Sequence, residues 1–489
     1  MLSLTSVDLR KEKIESLVIP VCEDRNIHDD KTICSLVDTA KKVKAFKGEK
    51  EDKVVLYRLS EVEAESIIFL GLGKFEKIDA ESLRAMAGSA VKNVIKRQHA
   101  AVLIAVPSAA KVNIKSQIVF EAMMEGAFLG NHLYDRYKRE KKHRSLHRID
   151  FFVNSDDAKI YRRLPSRIST VCRGTILARE WVSMPPNDKR PEFFAKSIES
   201  HAKKENLKVT VFNEKELKQK KFEAMLAVAA GSLSKPRLVI LEHCPAKPKK
   251  TIAFVGKGVT FDSGGLNLKP TASLAEMKMD MAGAAAVAAT LITAARLHLK
   301  HKIVGIIPIV ENMPSGNATR PGDIIQSFGG KTVEIGNTDA EGRLILIDAL
   351  SYAIKKYRPQ TVIDLATLTG ACVVALGEKI AGVFSFDDDL AENIILSGQN
   401  THERCWRLPL PEDYKDLIKS DFADLNNVPA TRYGGAITAA LFLSEFVKDT
   451  SWAHIDIAGP AYAKKESAYC GVGGTGFGVR LLCDLLERL

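Results

Sequence analysis

Short apolar runs rich in Val, Ile and Phe alternate with longer helical stretches along the 489-residue chain. That alternation constrains the fold more than any other feature, because a sheet with helices on its faces requires it. In the first third, Ser16–Val21, Ser66–Leu70, Ala101–Val106 and Ile149–Val153 read as strands, with helices over Ala80–Arg97 and Lys115–Leu129. Further on, Lys208–Phe212, Arg237–Leu241, Thr251–Val255, Lys302–Ile309, Thr361–Leu365 and Ala453–Ile457 read as strands between helices. The expected fold class is therefore α/β. A small N-terminal α/β domain spans 1–157, a connecting helix 158–185, and a larger α/β/α sandwich 186–489. Open α/β sheets place their sites at strand C-termini, so the loops that follow the strands are where chemistry is sought.

One such loop is Asn337-Thr338-Asp339-Ala340-Glu341-Gly342-Arg343-Leu344, directly after the strand-like Lys331–Ile335. In an extended backbone Asp339, Glu341 and Arg343 share one face. Clustered carboxylates are costly unless a cation neutralises them, which points to a metal. A neighbouring arginine offers an anchor for an anion. The competing reading is a solvated acidic turn capping a helix that begins near Leu344, since charged residues are mostly exposed. A second cluster favours the metal. Thr251–Val255 runs into Gly256-Lys257-Gly258, then Val259-Thr260-Phe261-Asp262-Ser263-Gly264-Gly265, Lys269 and Asp280, at the edge of an Ala-rich helix. Lys257, Asp262, Lys269 and Asp280 are charges in an apolar, Gly-rich neighbourhood, as where a loop wraps a ligand.

Competing chemistries fail on spacing. A phosphate loop needs glycine where Thr251 stands and Ser or Thr where Gly258 stands. No G-x-G-x-x-G opens a helix after this strand, and neither H-E-x-x-H nor G-x-S-x-G occurs. The eight cysteines show no C-x-x-C pairing, which excludes a Cys-built zinc site and suits reduced thiols. What remains is a carboxylate-rich site with two lysines and one arginine, suited to divalent cations.

The Gly256–Gly265 run, Lys269, Met277–Asp280, Glu311-Asn312-Met313-Pro314-Ser315-Gly316 and the Asn337–Leu344 octet resemble the leucyl (cytosol) aminopeptidase family in order and spacing. The resemblance covers the C-terminal two-thirds of the chain and shows no departure at any expected site position. It implies two divalent metal ions, Mn²⁺ or Zn²⁺, bridged by Asp262 and Glu341. Lys257 and Asp280 complete one coordination sphere and Asp339 the other. Lys269 and Arg343 are implied to be catalytic, with bicarbonate at Arg343. Met277, Thr367 and Gly370 are implied to line the pocket for the first side chain. The implied activity is removal of unblocked N-terminal residues from peptides, leucine preferred, by a homohexamer whose catalytic domains meet at its centre. A lysine ligates only as the neutral amine, so a metal must displace a proton whose reference pKa is about 10.4.

The formal net charge of +11 is modest for this length, and part of it lies in the run Arg136–Arg144. A solvated surface segment is the default reading, and a nucleic-acid contact is the alternative. No helix-turn-helix, zinc finger or interleaved aromatic pattern supports the latter. A metal-binding but inactive scaffold is a third reading; the presence of every expected metal and catalytic residue argues against it. The first residues lack a basic region followed by an apolar core, and Ala282–Ala295 is too short to span a bilayer. A cytoplasmic enzyme without a membrane partner is expected.

Overall fold

The computed structural model describes residues 1–489 and divides into two compact units. One comprises Met1–Cys172 with Lys465–Val472, the other Arg173–Lys464 with Gly473–Leu489.

The first unit is built on a six-stranded sheet of β1 (Leu2–Thr5), β2 (Ile14–Cys22), β3 (Lys53–Tyr57), β4 (Ala64–Gly73), β5 (Ala101–Ala105) and β6 (Arg148–Phe152). Its order is β1-β6-β5-β2-β4-β3, and every neighbouring pair is parallel except β3 with β4. Leu17, Ile19, Ile67 and Phe69 are buried in its core, at the period-two spacing of strands with one face on a hydrophobic layer. The run Arg136–Arg144 is exposed and irregular. Residues 465–472, expected from sequence in the second domain, pack with this unit. Lys92 Nζ donates to Glu466 Oε1 and to Ser467 O, each at 2.5 Å, and Tyr469 Oη donates to Glu81 Oε1 at 2.9 Å. The expected single helix from Ala158 is two helices, Ser155–Ile160 and Leu164–Ser183. Pro165 has no N–H for the carbonyl four residues back, so it suits the first turn of a new helix and not the interior of an old one.

The second unit carries the larger sheet. Its strands are β7 (Lys208–Phe212), β8 (Arg237–His243), β9 (Thr251–Gly256), β10 (Gly258–Asp262) and β11 (Lys302–Asn312). After two short strands, β12 (Ile324–Gln326) and β13 (Thr332–Glu334), come β14 (Thr361–Ala366), β15 (Ala381–Ser385), β16 (Cys405–Arg407), β17 (Leu425–Asn426) and β18 (Ser451–Asp456). The order is β16-β15-β18-β14-β9-β11-β8-β7, with β10 continuing along β11. The central strands β18, β14, β9 and β11 are mutually parallel. β12, β13 and β17 form a separate small sheet.

Alternation along β9 explains the layering. Ile252 and Phe254 belong to one buried core, Ala253 and Val255 to the other. The Ala282–Arg296 helix fills the first core and the Glu341–Tyr357 helix the second. Each fully buried Ile, Val or Phe side chain among these contributes about 1.5–3 kcal/mol. The apolar Met277–Arg296 stretch, long enough by composition to cross a membrane, is mostly buried inside the unit as a core helix. Its small residues permit close approach: a Cβ on Gly283 would stand 2.0 Å from Leu365 O. From β9 the chain crosses by one helix to β11; from β11 it crosses by the other to β14, on the opposite side of β9. The ends of β9 and β14 therefore flank a topological switch point, where open α/β sheets bind ligands.

Candidate metal centre

Strand ends deliver two of the site's charged side chains. Lys257 follows β9, Asp262 ends β10, and Thr367 follows β14. Asp280 follows a single helical turn, Met277–Met279, and precedes the Ala282–Arg296 helix. Asp339 lies in a turn after β13, while Glu341 and Arg343 occupy the first turn of the Glu341–Tyr357 helix. The expectation that Asp339, Glu341 and Arg343 share an extended face is thus corrected. The chain turns helical at Glu341, and residues two apart on a helix point in different directions. Glu341 reaches Lys257, whereas Arg343 reaches Asn427.

The five residues expected to hold metal converge. Lys257 Nζ lies 2.8 Å from Asp280 Oδ1 and 2.9 Å from Glu341 Oε1, and it donates to Thr367 O at 2.9 Å. Lys269 Nζ lies 2.8 Å from Asp262 Oδ2 and also pairs with Asp339. Oxygens of Asp262, Asp280 and Glu341 all lie within 4.8 Å of one another. Lys257, Asp262, Asp280 and Glu341 are buried; Asp339 is half-buried.

Four carboxylates share two ammonium groups here, and the surplus is negative. Burial, then the charge of Glu341, holds the Asp262 carboxyl above its ordinary range. Burial pushes Asp280 well above it, with Lys257 opposing. Asp339 is raised by burial and then by Asp262. Burial disfavours the Lys257 ammonium, yet Asp280, Glu341 and Asp262 outweigh it and hold the proton on. The same contest at Lys269, against Asp262, Glu341 and Asp339, also ends above the ordinary lysine value. Asp280 Oδ2 and Glu341 Oε2 are buried with no hydrogen-bond partner. Buried carboxylate oxygens without donors, in an over-negative cluster, fit hard divalent cations.

Arg343 is buried, donates through Nη1 to Asn427 O at 2.6 Å, and leaves Nε without a partner. Burial lowers its pKa to about 10, Glu341 and Asp456 opposing. Of the residues expected to line a substrate pocket, Thr367 is buried and its hydroxyl donates to Asp280 Oδ1 at 2.7 Å. Gly370 is exposed and starts the Gly370–Leu376 helix, with open space beside its Cα. Met277 is half-buried, three residues before Asp280.

Sequence reading assigns no role to the residues that brace these groups. Asn312, at the end of β11, donates through Nδ2 to Asp262 Oδ1 at 2.8 Å and to Thr338 O at 3.1 Å. Asn427 accepts the Gly336 and Asn337 N–H groups at 2.8 and 3.2 Å and donates to Asn337 O at 2.7 Å, clasping the turn that carries Asp339. Their signal is faint, because an asparagine after a strand reads as an ordinary turn residue.

Residues 176–483 match the family model for the cytosol aminopeptidase family, catalytic domain, and residues 24–141 match that for its N-terminal domain. A probable cytosol aminopeptidase of Syntrophotalea carbinolica is 42% identical, over 97% of each chain. One from Chlorobaculum tepidum is 44% identical over 90% of each. Among solved structures, the bottromycin maturation enzyme BotP in complex with Mn aligns with a TM-score of 0.87 at 32% identity, covering 97% of this chain and 99% of that one. These matches extend over both units, and the chain belongs to the cytosol aminopeptidase family.

Proposed function

We propose that this chain is a two-metal aminopeptidase that removes unblocked N-terminal residues from peptides. The observation that carries the reading is the convergence of Asp262, Asp280 and Glu341, with donor-free buried oxygens, at the switch point of the sheet. Lys257, Asp262, Asp280, Asp339 and Glu341 are the residues that would hold two divalent cations, Mn²⁺ or Zn²⁺. When bound, such a pair supplies Lewis acidity and lowers the pKa of water toward neutrality.

The chain's own groups supply the rest. Lys269, kept cationic by its carboxylate neighbours, faces the oxyanion that develops at the scissile carbonyl, a contribution worth about 2.7–4 kcal/mol. Arg343, with a buried and unpaired Nε, would hold a small anion, bicarbonate, whose chemistry when bound is proton transfer. Met277, Thr367 and Gly370 border the space for the first side chain. An apolar pocket separates neighbouring side chains by only about 1–3 kcal/mol per methylene, so leucine is preferred within a broad range. The enzyme works as a homohexamer in the cytoplasm, in peptide and protein turnover.

Hydrolysis of leucyl-p-nitroanilide and its N-acetylated form tests the reading. Chelation is expected to abolish cleavage of the free-amine substrate, with Mn²⁺ or Zn²⁺ restoring it and the blocked substrate resisting throughout. Unchanged activity after verified metal removal, or equal cleavage of both substrates, refutes it.

A further inference from the structure

Asp456 takes part in no step derived above, yet it is a fully buried carboxylate with both oxygens engaged. It ends β18, in register with Ala366 at the end of β14. Oδ1 accepts the Leu368 and Ala458 N–H groups, each at 3.1 Å, and Oδ2 accepts the Thr369 hydroxyl at 2.7 Å. Thr369 Oγ1 accepts the Cys372 N–H at 3.1 Å, capping the helix that begins at Gly370. Immediately before this anchored pair stands Thr367. Its carbonyl receives Lys257 Nζ, and its hydroxyl donates to Asp280 Oδ1. The loop therefore has two expected metal ligands on one side and Asp456 on the other. Thr367 is bonded directly to Leu368 and both of its contacts face the site, so a shift of Leu368 and Thr369 would pull on the two together.

We propose that Asp456 is a positioning residue: by fixing Leu368 and Thr369 it holds Thr367 where that residue orients the Lys257 amine and the Asp280 carboxylate. The inference rests on the metal-dependent reading above. It assigns Asp456 an effect on metal affinity and substrate binding through its neighbours, beyond any effect on folding. Partners that orient ligands in this way change metal affinity by about 10–100-fold when removed.

Calorimetric titration of the chelated protein with Mn²⁺, beside kcat and KM on leucyl-p-nitroanilide, provides the test. Asp456→Ala is expected to bind Mn²⁺ at least about tenfold more weakly, with KM raised several-fold. Asp456→Asn keeps an acceptor for the Leu368 and Ala458 N–H groups and is expected to recover most of both losses. An Asp456→Ala protein whose Mn²⁺ affinity and KM equal those of wild type overturns the proposal, even if its melting temperature falls. Should Asp456→Ala fail to fold, Thr369→Val removes only the hydroxyl link. Weaker Mn²⁺ binding and higher KM then support the proposal, and unchanged values overturn it. A wild-type protein that binds neither Mn²⁺ nor Zn²⁺ overturns the functional reading and this inference with it, an outcome distinct from failure of the variants alone.

Discussion

At Gly342, a Cβ would stand 2.4 Å from Lys257 Cε and 2.7 Å from its Nζ. The buried lysine is held by Asp280, Glu341 and Thr367 and has nowhere to retreat without breaking those contacts. Gly342→Ala is therefore expected to weaken Mn²⁺ binding and lower kcat/KM by about tenfold or more; wild-type values for both would contradict the placement of Lys257. Lys269 differs in kind. Its ammonium neutralises Asp262 and Asp339 without being a ligand in this account. Lys269→Ala should cut turnover by about 10²–10³-fold, as for loss of one oxyanion donor, while metal content measured by elemental analysis stays near normal. Loss of both ions in that variant would show that the role is misassigned.

Parallel strands of unequal fate surround the site: β9, β14 and β18 end in it, and their interiors hold it up. Within β18, His454 Nδ1 lies 2.6 Å from Asp364 Oδ1 of β14, and Trp452 Nε1 donates to Asp364 Oδ2 at 2.8 Å. All three side chains are buried. Burial opposes charge on His454, but the Asp364 carboxylate prevails and raises its pKa above the ordinary histidine value. The sign follows directly. A pKa raised on folding gives stability that is complete below the unfolded value of about 6.5 and is lost as pH climbs through the higher folded value. In thermal or urea unfolding, the gap between wild type and His454→Gln should be widest below the unfolded value of about 6.5 and narrow as pH climbs through the higher folded value. A gap that widens with pH would contradict the charged pair. His454→Ala should cost about 3–5 kcal/mol, because it strands Asp364 in a dry sheet.

Across the whole molecule, local pattern carried what local physics decides. Apolar runs such as Thr251–Val255 and Thr361–Leu365 announced central strands because both of their faces are buried. β3 escaped notice, since its edge position leaves Lys53 and Tyr57 exposed and blurs the alternation. β10 was hidden by glycines: Gly256–Gly265 reads as a loop, yet pairing with β11 makes Gly258–Asp262 a strand. The ligand-type residues were legible because charges inside apolar, Gly-rich sequence are unusual. Their orientation was not, because the onset of helix at Glu341 depends on tertiary packing. Asn312, Asn427 and Asp456 reach the loops they brace across 26 to 91 residues of sequence, and no local signal marks such pairings. The central claim is that these separated segments enclose two ions. Anomalous diffraction from Mn²⁺-soaked crystals, measured at the manganese edge, tests it most directly. The expected result is two peaks between Asp262 and Glu341, within coordination distance of Lys257, Asp280 and Asp339; a single peak, or peaks away from these side chains, would contradict the account.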